Sequence, residues 1–104
     1  ISVFEPHRYS RILSLKKEFA KSFLKSNLVL LCPIYAAGEK KNKKFKCIEF
    51  AKLISKYSKT QVIIIKDFKD LEKYFKNNLS NNEIIIGMGA GSISKFMRQL
   101  KFSL

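Results

Sequence analysis

A chain of 104 residues, 46% of them hydrophobic and 28% charged, suits one domain with one core and is too apolar for a disordered segment. Its formal net charge of +13 points either to an anionic partner, such as nucleic acid or a membrane surface, or to a lysine-rich composition in which lysines cover the solvent faces of helices. Apolar runs such as Val62 to Ile65 and Ile84 to Ile86 are far too short to span a bilayer. Two cysteines without paired spacing and a single histidine give no zinc site, and a reduced, cytoplasmic setting is expected.

Ser2 to Glu5 reads as a short strand ended by Pro6. No methionine and no signal-peptide pattern precede it, so a domain cut from a longer chain is expected. From Ser10 to Leu24 the period becomes helical, with Ile12, Leu15, Phe19 and Phe23 on one face and Ser10 as the expected N-cap. Asn27 to Cys32, NLVLLC, is the second strand, ended by Pro33. Ala36 to Lys44 is irregular and long enough for a functional loop, and it overlaps the densest basic run, EKKNKKFK from Glu39 to Lys46.

The next helix carries Ile48, Ala51, Ile54 and Tyr57 on one face. Gln61 to Lys66, QVIIIK, is the third strand. A helix marked by Phe68, Leu71 and Phe75 follows, with Asp67 as its cap and Asp70 adding negative charge to its first turn. Glu83 to Gly87, EIIIG, is the fourth strand, and Ile93, Phe96 and Leu100 mark a last helix capped by Ser92. Three of the four strands are continuous apolar runs, the pattern of strands buried on both faces of a parallel sheet. The order β-α-β-α-β-α-β-α therefore predicts an α/β domain with a mainly parallel sheet and right-handed crossovers.

Open parallel sheets bind ligands beyond the carboxyl ends of their strands. All four glycines fall at such ends, Gly38 after the second strand and Gly87, Gly89 and Gly91 after the fourth. The motif EPHRYSR, Glu5 to Arg11, follows the first. It holds the chain's one histidine, His7, and two of its three arginines, Arg8 and Arg11. Cations at a helix start oppose the helix dipole, so stability does not explain them there. Two guanidinium forks and an imidazole beside free N–H groups suit a carboxylate or phosphate. The alternative is structural: an arginine bridged to Glu5 or Glu39, and a satisfied histidine.

GMGAGSISK, Gly87 to Lys95, has the strand–turn–helix look of a phosphate loop, yet it fits neither GxGxxG nor GxxxxGK[ST]. A tight turn that lets the last helix approach the sheet explains it equally well. No nucleophile with its base and no catalytic carboxylate pair can be assembled, so the rim is expected to bind rather than to catalyse alone.

VFEPHRYSR, IYAAGEK and GMGAGSIS stand in an order and spacing similar to the C-terminal domain of the UDP-N-acetylmuramate–L-alanine ligases, a branch of the Mur ligase family, with PHRYSR the most specific element. The resemblance runs from about Val3 to Ser94. It implies a three-layer Rossmann-like domain spanning residues 1–104. It further implies that this domain closes over an N-terminal domain holding the UDP-sugar and a central domain holding ATP and Mg2+. The substrate carboxylate would become an acyl phosphate, which the amine of L-alanine attacks. By motif position, His7, Arg8 and Arg11 face the cleft, the arginines for the L-alanine carboxylate and the anionic intermediate, with Gly38, Glu39 and Ala90 shaping the same rim. The family domain begins with a helix bearing a histidine motif, and neither that helix nor a GKT/S loop lies within these residues, so the chain alone is expected to be inactive. Its sheet is expected to expose an apolar patch where other parts of the enzyme would lie.

Two other readings compete. One is a stand-alone basic α/β module that binds nucleic acid or another anionic partner through the Lys40 to Lys46 loop. The other is an oligomerisation domain whose rim is structural.

Overall fold

In the two central strands, successive side chains alternate between two apolar clusters, and this sets the architecture. The computed structural model describes residues 1–79, 83–89 and 91–99. Strands β1 (Ser2–Phe4), β2 (Leu28–Leu31), β3 (Gln61–Ile64) and β4 (Ile86–Met88) form one sheet in the order β3-β2-β1-β4. Every pairing is parallel, with Val3 opposite Leu30 on one side and Gly87 on the other. Phe4, Val29 and Leu31 point to one face, where Ile12, Phe23, Phe50 and Ile54 cover them. Val3, Leu30 and Cys32 point to the other, under Leu71, Phe75 and Ile93. The α/β class and the parallel sheet expected from the sequence are therefore present, as helices on both faces of the sheet.

Helices α1 (Tyr9–Ser14) and α2 (Lys16–Ala20), with a 3-10 turn at Lys21–Phe23, connect β1 to β2. The single helix expected over Ser10 to Leu24 is broken at Leu15, which leaves helical geometry at φ −118°, ψ 28° and is 43% exposed. Ser10 is not the N-cap: Arg8 holds that position at φ 65°, with no side-chain cap of its own. Helix α3 (Cys47–Ser58) joins β2 to β3. It buries Phe50, Ala51, Ile54 and Ser58, while Ile48 is 58% exposed, so its inner face is rotated from the one expected. Helix α4 (Phe68–Asn78) matches expectation: Leu71 and Phe75 are buried, and the Asp67 side chain accepts from the Asp70 N–H at 2.8 Å. Helix α5 (Ile93–Gln99) buries Ile93, while Leu100 lies outside the described residues.

The two outer strands depart from full burial. Strand β3 is half-covered, with Ile64 40% exposed. Strand β4 sits later than expected, and Ile84 and Ile86 are 78% and 55% exposed. Among the described residues each of these outer strands has a neighbour on one side only, so an apolar run there marks an uncovered edge. No helix among the described residues is long and apolar enough to cross a membrane.

Candidate functional site

The chain runs from β1 to its neighbour β2, then outward to β3, and returns to the far side of β1 as β4. That reversal is the topological switch at which parallel sheets build sites, at the carboxyl ends of the strands. Glu5, His7 and Arg8 follow β1, Tyr35 to Glu39 follow β2, and Gly89 and Gly91 follow β4.

Beyond the strand ends, β1 and β2 stay together. His7 and Tyr35 form an isolated parallel bridge, in which the Tyr35 N–H donates to the Pro6 carbonyl at 2.7 Å and the Arg8 N–H to the Tyr35 carbonyl at 2.8 Å. The His7 and Tyr35 rings stack with centroids 5.4 Å apart and planes 12° from parallel. His7 Nδ1 is buried and has no hydrogen-bond partner among the described residues.

Two glutamates hold two helix starts. Glu39 is aimed by a tight turn whose central residues, Ala37 and Gly38, both have positive φ, closed by the Glu39 N–H on the Ala36 carbonyl at 3.1 Å. Its carboxylate accepts from the Ser10 N–H at 3.2 Å and the Ser10 hydroxyl at 2.6 Å, so it serves the α1 start in place of a local cap. The Ser10 hydroxyl foremost holds the Glu39 carboxyl below its ordinary value of 4.5; desolvation, the next largest effect, opposes it, and the Ser10 N–H and the nearby Arg8 charge add to the lowering.

Glu5, 4% exposed, does the same for α5, accepting from the Ser92 hydroxyl at 2.9 Å and the Ile93 N–H at 3.2 Å. Ser92, the expected cap, therefore donates its hydroxyl to Glu5. A Cβ on Gly91 would lie 2.8 Å from Glu5 Oε1 and 2.6 Å from the Tyr35 ring, and one on Gly89 would lie 3.0 Å from the Glu5 carbonyl. The glycines thus admit an internal carboxylate and a ring at close range. The turn's resemblance to a phosphate loop has this origin, because the buried Ile93 N–H at the helix start, which a phosphate would take, is already bonded to Glu5.

Of the expected site residues, the structure brings His7, Arg8 and Glu39 to one rim, with Arg11 on the adjoining α1. Arg8 reaches Glu39 through Nη2 at 3.4 Å, a long and exposed ion pair, so the structural reading of this arginine is met in part. Arg11 is exposed on α1, and its guanidinium has no ion pair among the described residues. Gly38 is exposed with open space about it, and its contribution is the turn. Ala90 lies outside the described residues. The sequence reading names neither Tyr35 nor the capping role of Glu5, because both depend on the room that Gly91 leaves beside them in the folded chain.

A cavity of about 250 Å³ lies at the same carboxyl ends, against Tyr35, Ile34, Phe68, Lys66 and Ser92. A larger one, about 610 Å³, sits at the opposite ends against Ile1, Asn27, Leu28 and Tyr74, away from every rim motif. Position at the strand ends, rather than size, favours the rim. Cys32, buried behind it, has its thiol pushed up to about 12, first by burial and then by the Glu5 and Cys47 charges.

With this geometry in place, likeness to known proteins decides the family. The chain is 51% identical to the UDP-N-acetylmuramate–L-alanine ligase of Pelagibacter ubique over 100 residues, which cover 96% of the chain and 22% of that ligase. The chain belongs to the UDP-N-acetylmuramate–L-alanine ligase family. The ligase of the same name from Caldanaerobacter subterraneus is 35% identical over 105 residues, 97% of the chain and 23% of its own length. That of Prochlorococcus marinus is 36% identical over 104 residues, 96% of the chain and 21% of its own length. This Mur ligase chain thus spans about a fifth of the length of the curated relatives it matches. No family model matches it.

Proposed function

We propose that residues 1–104 form the C-terminal, amino-acid-binding domain of an ATP-dependent ligase that joins L-alanine to UDP-N-acetylmuramate in peptidoglycan synthesis. Family membership supports the reaction class. Within the chain, the observation that carries the reading is the arginine pair. Among the described residues Arg11 has no ion pair and Arg8 has one long contact, on a rim where the carboxylates of Glu5 and Glu39 are committed to helix starts.

In this reading the Arg8 and Arg11 forks take the carboxylate of L-alanine and stabilise charge on the acyl phosphate, and His7 orients the reacting group. Fixed cations that need no rearrangement at the moment of reaction are an effective form of such stabilisation. Glu39 holds Arg8 at the start of α1, and Gly38 shapes the rim. ATP and Mg2+ belong to the complete enzyme. Among the described residues no cluster of three or more His, Cys, Asp or Glu could hold a metal, so no step is assigned to either here. UDP-N-acetylmuramate and L-alanine are the proposed substrates, the remaining domains of the same polypeptide the partners, and the cytoplasm the location. Closure of this domain over the others would bring amine and carboxylate together.

The test is kinetic. In the complete enzyme, Arg8→Ala and Arg11→Ala should each lower ligation by about 100-fold or more while the melting temperature of the domain moves little. Normal turnover in both variants would sink the reading.

A further inference from the structure

We propose that Tyr35 is the positioning residue of this rim, setting both the plane of the His7 imidazole and the backbone of Arg8; the inference rests on the reading above. Three independent contacts converge on it. Its N–H and C=O bracket His7, bonding Pro6 at 2.7 Å and Arg8 at 2.8 Å. Its ring stacks on the imidazole, 5.4 Å between centroids. Gly91 leaves the space that ring occupies, since a Cβ there would lie 2.6 Å from it.

Arg8 sits at φ 65°, a conformation costly for a residue with a Cβ, and such backbone persists only where its surroundings over-determine it. Tyr35 supplies that constraint from the main-chain side, and Glu39, four residues later in the same loop, holds the guanidinium end at 3.4 Å. The loop after β2 therefore grips Arg8 at both ends, while the Tyr35 ring limits rotation of His7. A shift of about 1 Å in such groups can cost a hundredfold in rate.

Placement is tested in the 104-residue chain, where the single histidine gives an unambiguous proton spectrum. Ring protons of His7 should shift upfield under the Tyr35 ring, keep that shift in Tyr35→Phe, and lose it in Tyr35→Leu, which retains the backbone bonds. Function is tested in the complete enzyme. Tyr35→Leu should raise KM for L-alanine and lower kcat/KM by about 10- to 100-fold, and Tyr35→Phe should restore most of the loss. In a His7→Ala background the same substitution should add little, because the Tyr35 ring acts through the imidazole it stacks on.

A folded Tyr35→Leu enzyme within about twofold of wild type, or losses that add fully to those of His7→Ala, would overturn the proposal. Normal turnover in both Arg8→Ala and Arg11→Ala would strike the ligase reading and the kinetic half of this one together. Unshifted His7 protons would strike Tyr35 alone.

Discussion

Glu39 accepts both the backbone N–H and the hydroxyl of Ser10, at 3.2 and 2.6 Å, across 29 residues of chain. The bond joins the loop after β2 to the first helical turn after β1, and it brings a carboxylate to the helix end where negative charge is favourable.

A pH dependence follows. The Glu39 carboxyl is held below its ordinary value of 4.5, chiefly by the Ser10 hydroxyl. A carboxyl whose folded-state pKa is depressed contributes stability that is present above its unfolded value and lost as pH falls through the folded value. Wild type should therefore exceed Glu39→Gln in melting temperature at neutral pH, and the gap should close as the pH is lowered below about 4.5. Melts of both proteins from pH 7 to pH 3 check this. A gap that stays constant would contradict it.

Glu5 makes a sharper demand because it is buried. Glu5→Ala leaves the Ser92 hydroxyl and the Ile93 N–H without their acceptor, and should cost about 2–3 kcal/mol. Glu5→Gln keeps an acceptor oxygen and should cost less. Denaturant unfolding of the two variants measures the order. Equal or negligible losses would mean that Glu5 does not anchor α5.

Two glycines should respond differently to the same added methyl. Gly91→Ala places a Cβ against the Tyr35 ring and Glu5 Oε1, so it should destabilise by about 1–3 kcal/mol and disturb the His7 protons. Gly38→Ala meets open space, yet its φ of 87° is unfavourable for any L side chain, so a cost of about 1–2 kcal/mol with no change at His7 is expected. Unfolding and proton spectra of the two variants separate close packing from backbone conformation.

Much of this fold was legible in the sequence, for a physical reason. Val29 to Cys32 is apolar at every position because both faces of a central parallel strand are covered, and Asp67 caps α4 within its own first turn. Local and strictly periodic signals of this kind survive folding. The failures are equally particular. Ile84 to Ile86 look like a buried strand, but β4 lies at the sheet edge, and edge position is a property of the whole sheet. Ile48 fits a helical stripe, yet Phe50 fills the core, because the rotation of α3 is chosen by packing.

At the rim, PHRYSR stood out by its chemistry, whereas the partners that hold it did not. Ser10 and Ser92 read as local caps, and both donate instead to carboxylates 29 and 87 residues away. Tyr35 carried no periodic signal; its importance depends on the room left by Gly91, 56 positions later, which only the tertiary fold reveals.

As the proposed amino-acid-binding domain of a UDP-N-acetylmuramate–L-alanine ligase, this chain should support ligation when joined to the rest of such an enzyme. The most direct measurement uses a chimaera in which the chain replaces the matched 100 residues of the Pelagibacter ubique ligase, assayed for phosphate release with UDP-N-acetylmuramate, ATP and L-alanine. Release that requires L-alanine, and that falls by about 100-fold in Arg11→Ala, is the predicted result. A folded chimaera no more active than the same ligase with the segment deleted would contradict the account.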